Sequence, residues 1–128
     1  MENSILISTK KMLGLAEDYT AFDHDVVVHI NSVFADLNQL GIGPVDGYEI
    51  DDTGTETWED YVTLDVLPMP LNSVRSYVFL RVKQLFDPPT TGYLVEAYNK
   101  QIEKAEWRLN VVREAALHPL SEFVEEEV

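Results

Sequence analysis

Apolar residues recur at alternating steps of three and four near the end of the chain, in its most regular pattern. They are Val95, Tyr98, Ile102, Ala105, Leu109, Val112 and Ala116. This spacing predicts a helix over residues 93–116, about 35 Å long at about 1.5 Å per residue, with one narrow apolar seam. A second amphipathic helix is predicted over residues 74–86. It must end before Pro88 and Pro89, because a proline pair cannot continue a helix.

Two further helices are predicted in the first third of the chain. Residues 4–14 carry apolar residues and end on two lysines, which suit the negative end of a helix, and Gly14 is a suitable stop. Residues 22–40 spread their apolar side chains over a broad arc, which is typical of a core helix. Gly41 can supply the left-handed cap that ends it.

Residues 45–71 interrupt the helical pattern. A brief alternation followed by a turn favours a loop or a small hairpin there. Thr57 is expected to cap a single helical turn, with Trp58 covering the edge of the core. Because so long a loop is uncommon inside a compact domain, we expect this insert to act at a surface or an interface.

The fold class that follows is all-α: a small bundle of about four to five helices with the insert and an extended C-terminal tail. The length of 128 residues fits one domain with one core. We expect residues 1–118 to form the helical domain and residues 119–128 to form an acidic tail. The tail is too short and too charged to fold alone, so we expect it to be ordered only on a partner, anchored by Phe123 and Val124.

Two surfaces are candidates for contact with another subunit. Tyr77 and Leu80 project from the side opposite the main apolar face of residues 74–86, which indicates either the middle of a bundle or a neighbouring subunit. Trp107 lies opposite the apolar seam of the last helix. It packs either under the tail or the insert, or at an interface, where tryptophan beside cations is enriched. The candidate interface residues are Tyr77, Leu80, Arg81, Tyr93, Lys100, Lys104, Trp107, Val111, Phe123 and Val124.

The net charge of −14 is unevenly distributed along the chain. Residues 1–70 hold 14 acids and 2 bases, whereas residues 71–128 hold 9 acids and 7 bases. A negative field repels phosphate, so sequence-specific binding of nucleic acid is not expected. The charge is compatible with docking a basic partner, mimicking nucleic acid, lining a passage for DNA, or only keeping the protein soluble.

No catalytic, cofactor or metal signature is found in the sequence. Without cysteine there is no disulfide and no thiolate zinc site, which fits a reducing compartment. His24 and His29 are five apart rather than four, and the acids of residues 46–56 lack the spacing of a calcium loop. We also expect neither a signal peptide nor a membrane span. The protein is therefore not expected to be an enzyme. A hydrolase using Asp25, His29 and Asp36 is the weakest alternative.

Several stretches resemble one known family. Residues 77–89, which end in Leu85-Phe86-Asp87-Pro88-Pro89, residues 106–110, which read Glu-Trp-Arg-Leu-Asn, residues 31–44 and residues 57–60 are similar to the head-tail connector (adaptor) proteins of tailed bacteriophages. The resemblance covers about residues 4–114 of this sequence.

The resemblance implies a small helical subunit that joins copies of itself into a ring, usually of about twelve, below the portal of the phage head. Such a ring extends the DNA channel without binding DNA sequence-specifically, and it is a platform for stopper or tail proteins. The implied location is the virion neck, between capsid and tail, after assembly in the host cytoplasm. An acidic DNA mimic or regulatory binding protein, acting as a monomer or dimer, is the alternative that explains the charge but not the Asp87-Pro88-Pro89 hinge.

Overall fold

The structure, a computed structural model, describes residues 3–44, 46–63 and 71–117. These ranges contain five helices and no strand longer than an isolated bridge. The helices are α1 (Ile5–Met12), α2 (Asp23–Gln39), α3 (Trp58–Thr63), α4 (Leu71–Phe86) and α5 (Gly92–Leu117). The predicted all-α class is confirmed, and each predicted helix is present.

Helix α4 lies at the centre of the bundle and packs against the other four helices. Its apolar positions include Val74, Val78 and Val82, which are fully buried. Helix α2 adds Ile30, Phe34 and others from the broad arc predicted for it. The seam of α5 closes the core with Ile102, Ala105 and Leu109. One hydrophobic core therefore joins the helices on either side of the insert.

The ends of α2 and α4 follow from the sequence. Gly41 has a φ of +81°, and the Ile42 N–H donates to the Leu37 carbonyl at 2.9 Å while the Gly41 N–H donates to the Asn38 carbonyl at 3.0 Å. This double closure is a Schellman motif, which requires a left-handed residue that glycine supplies without strain. Helix α4 stops at Phe86, just before the proline pair. Within the described residues it begins at Leu71, three residues earlier than predicted.

The described part of the insert, residues 46–63, is fastened to the bundle by polar contacts. The Asn31 side-chain amide binds the backbone of Ile50 twice, as donor to its carbonyl at 3.0 Å and as acceptor from its N–H at 2.8 Å. Thr57 and Asp60 form a capping box, with each side chain accepting from the other's backbone N–H at 3.2 and 3.0 Å. The predicted cap at Thr57 is thus confirmed, and the insert has a loop and one short helix rather than a hairpin in this range.

Trp58 corrects one expectation about the insert. It was predicted at the edge of the core, but its side chain is 0% exposed and is among the largest buried side chains. The indole Nε1–H donates to the Ser8 hydroxyl at 2.8 Å, and the ring meets Phe79 edge to face at 5.6 Å. Periodicity could not predict this burial, because it depends on α1 and α4 meeting at the same place.

A buried charge joins α1 to the start of α2. Lys10 is 1% exposed, and its ammonium lies 2.8 Å from the Asp23 carboxylate and donates to the Glu17 carbonyl at 3.0 Å. The contact with Asp23 is an ion pair rather than a hydrogen bond, since its Oδ1 has no donor in hydrogen-bonding geometry among the described residues. Lys10, which was predicted to stabilise the C-terminal end of α1, therefore also holds the loop between α1 and α2 in place.

Candidate subunit interface

The outer face of α5 is defined here by Tyr93, Lys100, Lys104, Trp107 and Val111. These residues recur at steps of three, four and seven, so they form one stripe about 27 Å long. Tyr93 is 82% exposed, Trp107 is 64% exposed and Val111 is 44% exposed. Both lysines are exposed as well. The sequence placed Trp107 opposite the apolar seam, and the structure agrees with that placement.

The opposite side of α5 accounts for the stability of the helix in the bundle. Leu109 is 0% exposed, whereas Trp107, two residues away, points from the other side. Trp107 is 64% exposed, so most of its apolar area stays in water, although burying a large apolar side chain is favourable by about 1.5–3 kcal/mol. Large aromatics with neighbouring cations are the residues that protein interfaces favour. The outer face of α5 therefore has the composition of a contact surface.

The three candidates on α4 have different environments. Tyr77 is 1% exposed and belongs to the core, so of its two predicted environments the structure favours the middle of the bundle. Arg81 is half-buried and donates to the Tyr77 hydroxyl at 2.6 Å and to the Asp36 carboxylate at 2.7 Å, so it fastens α4 to α2. Leu80 is half-buried against the core and borders an open hollow. Of the three, Leu80 is the one that lines an open hollow. Phe123 and Val124 lie outside the described residues.

Burial and neighbouring charges shift the pKa values of Tyr77 and Arg81. Burial is the largest cause that raises the pKa of Tyr77 above its usual value, and Arg81 partly offsets it. Desolvation would lower the pKa of the Arg81 guanidinium, but hydrogen bonds to Asp36 and Tyr77 outweigh it and raise that pKa. Burial likewise raises the pKa of Tyr48 and of Tyr98.

These tyrosines predict how stability depends on alkaline pH. A raised folded pKa means that the folded state binds the phenol proton more strongly than the unfolded chain, whose tyrosine pKa is about 10. The stabilising effect is complete below about pH 10 and is lost as the pH rises through the folded pKa of Tyr77. We expect urea unfolding between pH 8 and 11 to give a falling free energy of unfolding only in the upper part of the range. Tyr77→Phe should reduce the slope, because it removes the phenol whose pKa burial raises; a slope equal to that of the unchanged chain would contradict the assignment.

A groove between α1 and α4 was not predicted. It is lined by Ile7, Lys11, Met12, Leu15, Arg75 and Phe79, together with Asn3, Ser8, Ala16 and Glu17, and has a volume of about 880 Å³. Past Met12 and Phe79 it meets a second hollow of about 300 Å³ that reaches Leu80, Lys83 and Tyr98. We call the first of these the α1–α4 groove. Neither Tyr77 nor Leu80, the second apolar side predicted for residues 74–86, lines this groove, which forms only where α1 meets α4.

Among the residues that the structure describes, no group of three His, Asp or Glu side chains is arranged to hold a metal ion. Asp36 is held by Arg81, and His29 packs edge to face on Phe86 at a ring distance of 6.3 Å, so both belong to packing contacts. In the described ranges, no helix is both long and apolar enough to cross a membrane.

Comparison with known proteins gives one match. A family model described as a phage connector protein matches residues 5–116, which is most of the chain. Neither the curated proteins nor the solved structures gave a match.

Proposed function

The chain belongs to the phage connector protein family, and from this premise we propose that it is a structural head-tail connector (adaptor) subunit of a tailed phage. In this role, copies of the chain form a ring below the portal, with twelve copies as the working number. The ring extends the DNA channel and provides a platform for stopper or tail proteins. The subunit acts in the virion neck after assembly in the host cytoplasm, and no catalytic step is part of this role.

The exposed outer face of α5 is the observation that carries the proposal. The bundle has a complete core without it, since residues on the other side of α5 such as Leu109 are fully buried. Yet Tyr93 and Trp107 remain mostly exposed on the same helix. A second copy or an allied protein that covers this stripe would remove their apolar area from water.

A closed ring needs two different patches on each subunit. Lys100 and Lys104 place two cations on the outer face of α5, beside the exposed Glu96 and Glu103, whereas residues 1–70 hold 14 acids and 2 bases. Asp25, Glu59 and Asp60 are among the exposed acids of that acidic part. Contact between these two lysines of one copy and the acidic part of the next is electrostatically favourable and repeats around a ring.

The net charge of −14 supports a role beside moving DNA. Phosphates that pass an acidic wall are repelled, whereas a wall of lysines would bind them and slow their passage. The same charge favours the alternative, an acidic DNA mimic that occupies the basic groove of another protein. The two proposals differ in what the chain binds.

Mixing the protein with the portal protein of its own phage tests the proposal. We expect electron microscopy of the mixture to show added ring-shaped density on the tail side of the portal, and purified virions to show the same density at the neck. If the chain leaves the portal unchanged but inhibits a basic DNA-binding enzyme in a salt-sensitive manner, the DNA mimic is supported instead. Assembly on the portal is the decisive readout, because a monomer in solution is compatible with a ring that forms only on its partner.

A further inference from the structure

The α1–α4 groove combines an apolar floor with a basic rim. Met12 and Phe79 form part of the floor, and Lys11 and Arg75 stand at its edges. Met12 is 59% exposed although it is a large apolar residue. The Arg75 guanidinium lies 5.7 Å from the Phe79 ring centre and 6.0 Å from that of Trp58, so stacking holds it over the floor. The groove can therefore receive apolar side chains and anionic groups side by side.

Charge narrows the choice of occupant. Among the residues that the structure describes, neither Lys11 nor Arg75 has an ion-pair partner, although the chain carries 23 acids. Glu17 is the one acid among the described residues that line the groove. An occupant that brings carboxylates to these two cations and apolar side chains to the floor is therefore favoured over a basic one or a purely polar one.

The C-terminal segment, residues 119–128, has this composition. It contains the adjacent apolar residues Phe123 and Val124, preceded by Glu122 and followed by three consecutive glutamates. The apolar pair matches the floor of the groove, and the surrounding carboxylates match its rim. Residues 64–70, which also lie outside the described ranges, carry a single acid and do not combine these features.

The segment of the same subunit is too short to reach this floor. Tyr98 of α5 lines the same hollow as Met12 and Phe79, so these residues are level with Tyr98 along the bundle. From Tyr98, α5 continues about 28 Å to Leu117. The six residues from Leu117 to Phe123 span about 20–22 Å when fully extended. Phe123 therefore falls short of Met12 in its own subunit, and the occupant has to come from another chain.

A neighbouring copy can supply the segment. In the ring proposed above, the outer face of α5 of one copy contacts residues 1–70 of the next, and α1 belongs to that part of the chain. The residues that follow α5 are then close to α1 of the next copy rather than to α1 of their own. The distance that excludes docking within one subunit therefore does not apply between copies.

We propose that the α1–α4 groove of each copy is the docking site for residues 119–128 of a neighbouring copy. Phe123 and Val124 contact the floor, and the glutamates pair with Lys11 and Arg75. Each copy then contributes one groove and one segment, which is the head-to-tail contact that a closed ring requires. The inference rests on the proposed ring for the neighbouring copy, but binding of the segment by the groove can be measured without the portal.

Titration of a peptide tests whether the groove accepts the segment. A fluorescently labelled peptide with the sequence of residues 118–128 is titrated with the full chain, and its anisotropy is measured. The chain carries Phe123→Ser and Val124→Ser, so that its own segment does not compete. We expect saturable binding. The same two serine substitutions in the peptide should weaken binding by about tenfold or more, because they remove its apolar anchors.

Two variants of the chain test the charge pairing in the same titration. Lys11→Glu should weaken binding about tenfold, since it places a carboxylate opposite those of the peptide. Arg108→Glu is the matched control, because it makes the same charge change at an exposed position on α5, and it should alter binding by less than about twofold. Lys11 is exposed as well, so circular dichroism should show both variants folded.

The proposal is overturned by any of three results of the titration. The first is no binding up to about 1 mM chain, which is the effective concentration that a tethered segment provides. The second is equal binding of the serine peptide, and the third is an equal loss of affinity in Arg108→Glu and Lys11→Glu. If the portal mixture forms a ring but the peptide does not bind, this inference fails and the proposed function stands. If the peptide binds but no ring forms on the portal, the proposed function fails instead.

Disulfide trapping tests whether the segment crosses between copies. The protein has no cysteine, so a full chain with Met12→Cys and Glu122→Cys contains only the two intended thiols and keeps both apolar anchors. Oxidised glutathione is the electron acceptor, and each protein disulfide that forms reduces one molecule of it. We expect disulfide-linked dimers and longer multimers, and adding Lys11→Glu should slow their formation about tenfold. An intramolecular disulfide as the main product would overturn the proposal, because the segment would then reach its own groove.

Discussion

Replacing Trp107 with alanine is expected to weaken association of the subunit by about 2 kcal/mol or more for each contact, which is the cost of removing a central aromatic from an interface. That cost corresponds to a dissociation constant about 30-fold higher. The free energy of unfolding of the lone subunit should change by less than about 0.5 kcal/mol, because the side chain is 64% exposed. Titration of the variant onto portal protein measures the first quantity, and urea unfolding of the free subunit measures the second.

Leu109→Ala provides the matched control on the same helix. Leu109 is 0% exposed, so its truncation should cost about 2–5 kcal/mol of unfolding free energy. Among molecules that remain folded, its direct effect on assembly should be small. If Trp107→Ala lowers the melting temperature as much as Leu109→Ala does and assembly is unaffected, Trp107 belongs to the fold and the outer face of α5 is not the interface.

Much of the helical architecture could be predicted because the signals for it are local. Gly41 and the proline pair at Pro88 and Pro89 fix helix ends through backbone geometry alone. The seam containing Leu109 and the exposed position of Trp107 follow from the 3.6-residue period. Because these features depend only on residues close together in sequence, they can be predicted from the sequence alone.

The contacts of the insert could not be predicted, since they join residues far apart in sequence. Asn31 binds Ile50 across 19 positions, and Trp58 binds Ser8 across 50. The residue type of Asn31 does not indicate that its side-chain amide takes the place of a backbone hydrogen-bonding partner for Ile50. Side-chain amides can satisfy buried backbone groups in this way, but the choice of partner is made by the tertiary fold.

The same distinction between local and long-range features applies to the candidate interface. The outer face of α5 was predicted from one helix, because exposure there is the complement of the buried seam. Tyr77 and Leu80 were placed together on a second apolar side of α4, yet in the structure Tyr77 is buried whereas Leu80 borders an open hollow that Met12 of α1 also lines. The α1–α4 groove is therefore a property of packing rather than of periodicity.

Replacing Trp58 with alanine is expected to destabilise the fold by about 4 kcal/mol, the usual cost of truncating a buried tryptophan. The indole is 0% exposed and contacts α1 through Ser8 and α4 through Phe79, while the Trp58 backbone N–H donates to the Asn3 carbonyl at 3.0 Å. Loss of the ring should therefore loosen the insert and α1 together. Urea unfolding followed by circular dichroism measures the change.

Two milder variants separate the packing of Trp58 from its hydrogen bond. Trp58→Phe retains an aromatic ring and should cost clearly less than alanine, and Ser8→Ala should cost about 1–3 kcal/mol because it leaves the indole N–H buried without an acceptor. In the double variant, Trp58→Phe with Ser8→Ala, the two costs should be less than additive, since the groups interact with each other. Additive costs would mean that the hydrogen bond contributes nothing, and a cost below about 1 kcal/mol for Trp58→Ala would place the side chain outside the core. Because this one ring contacts both α1 and α4, its loss should also alter the α1–α4 groove, whose walls those helices form.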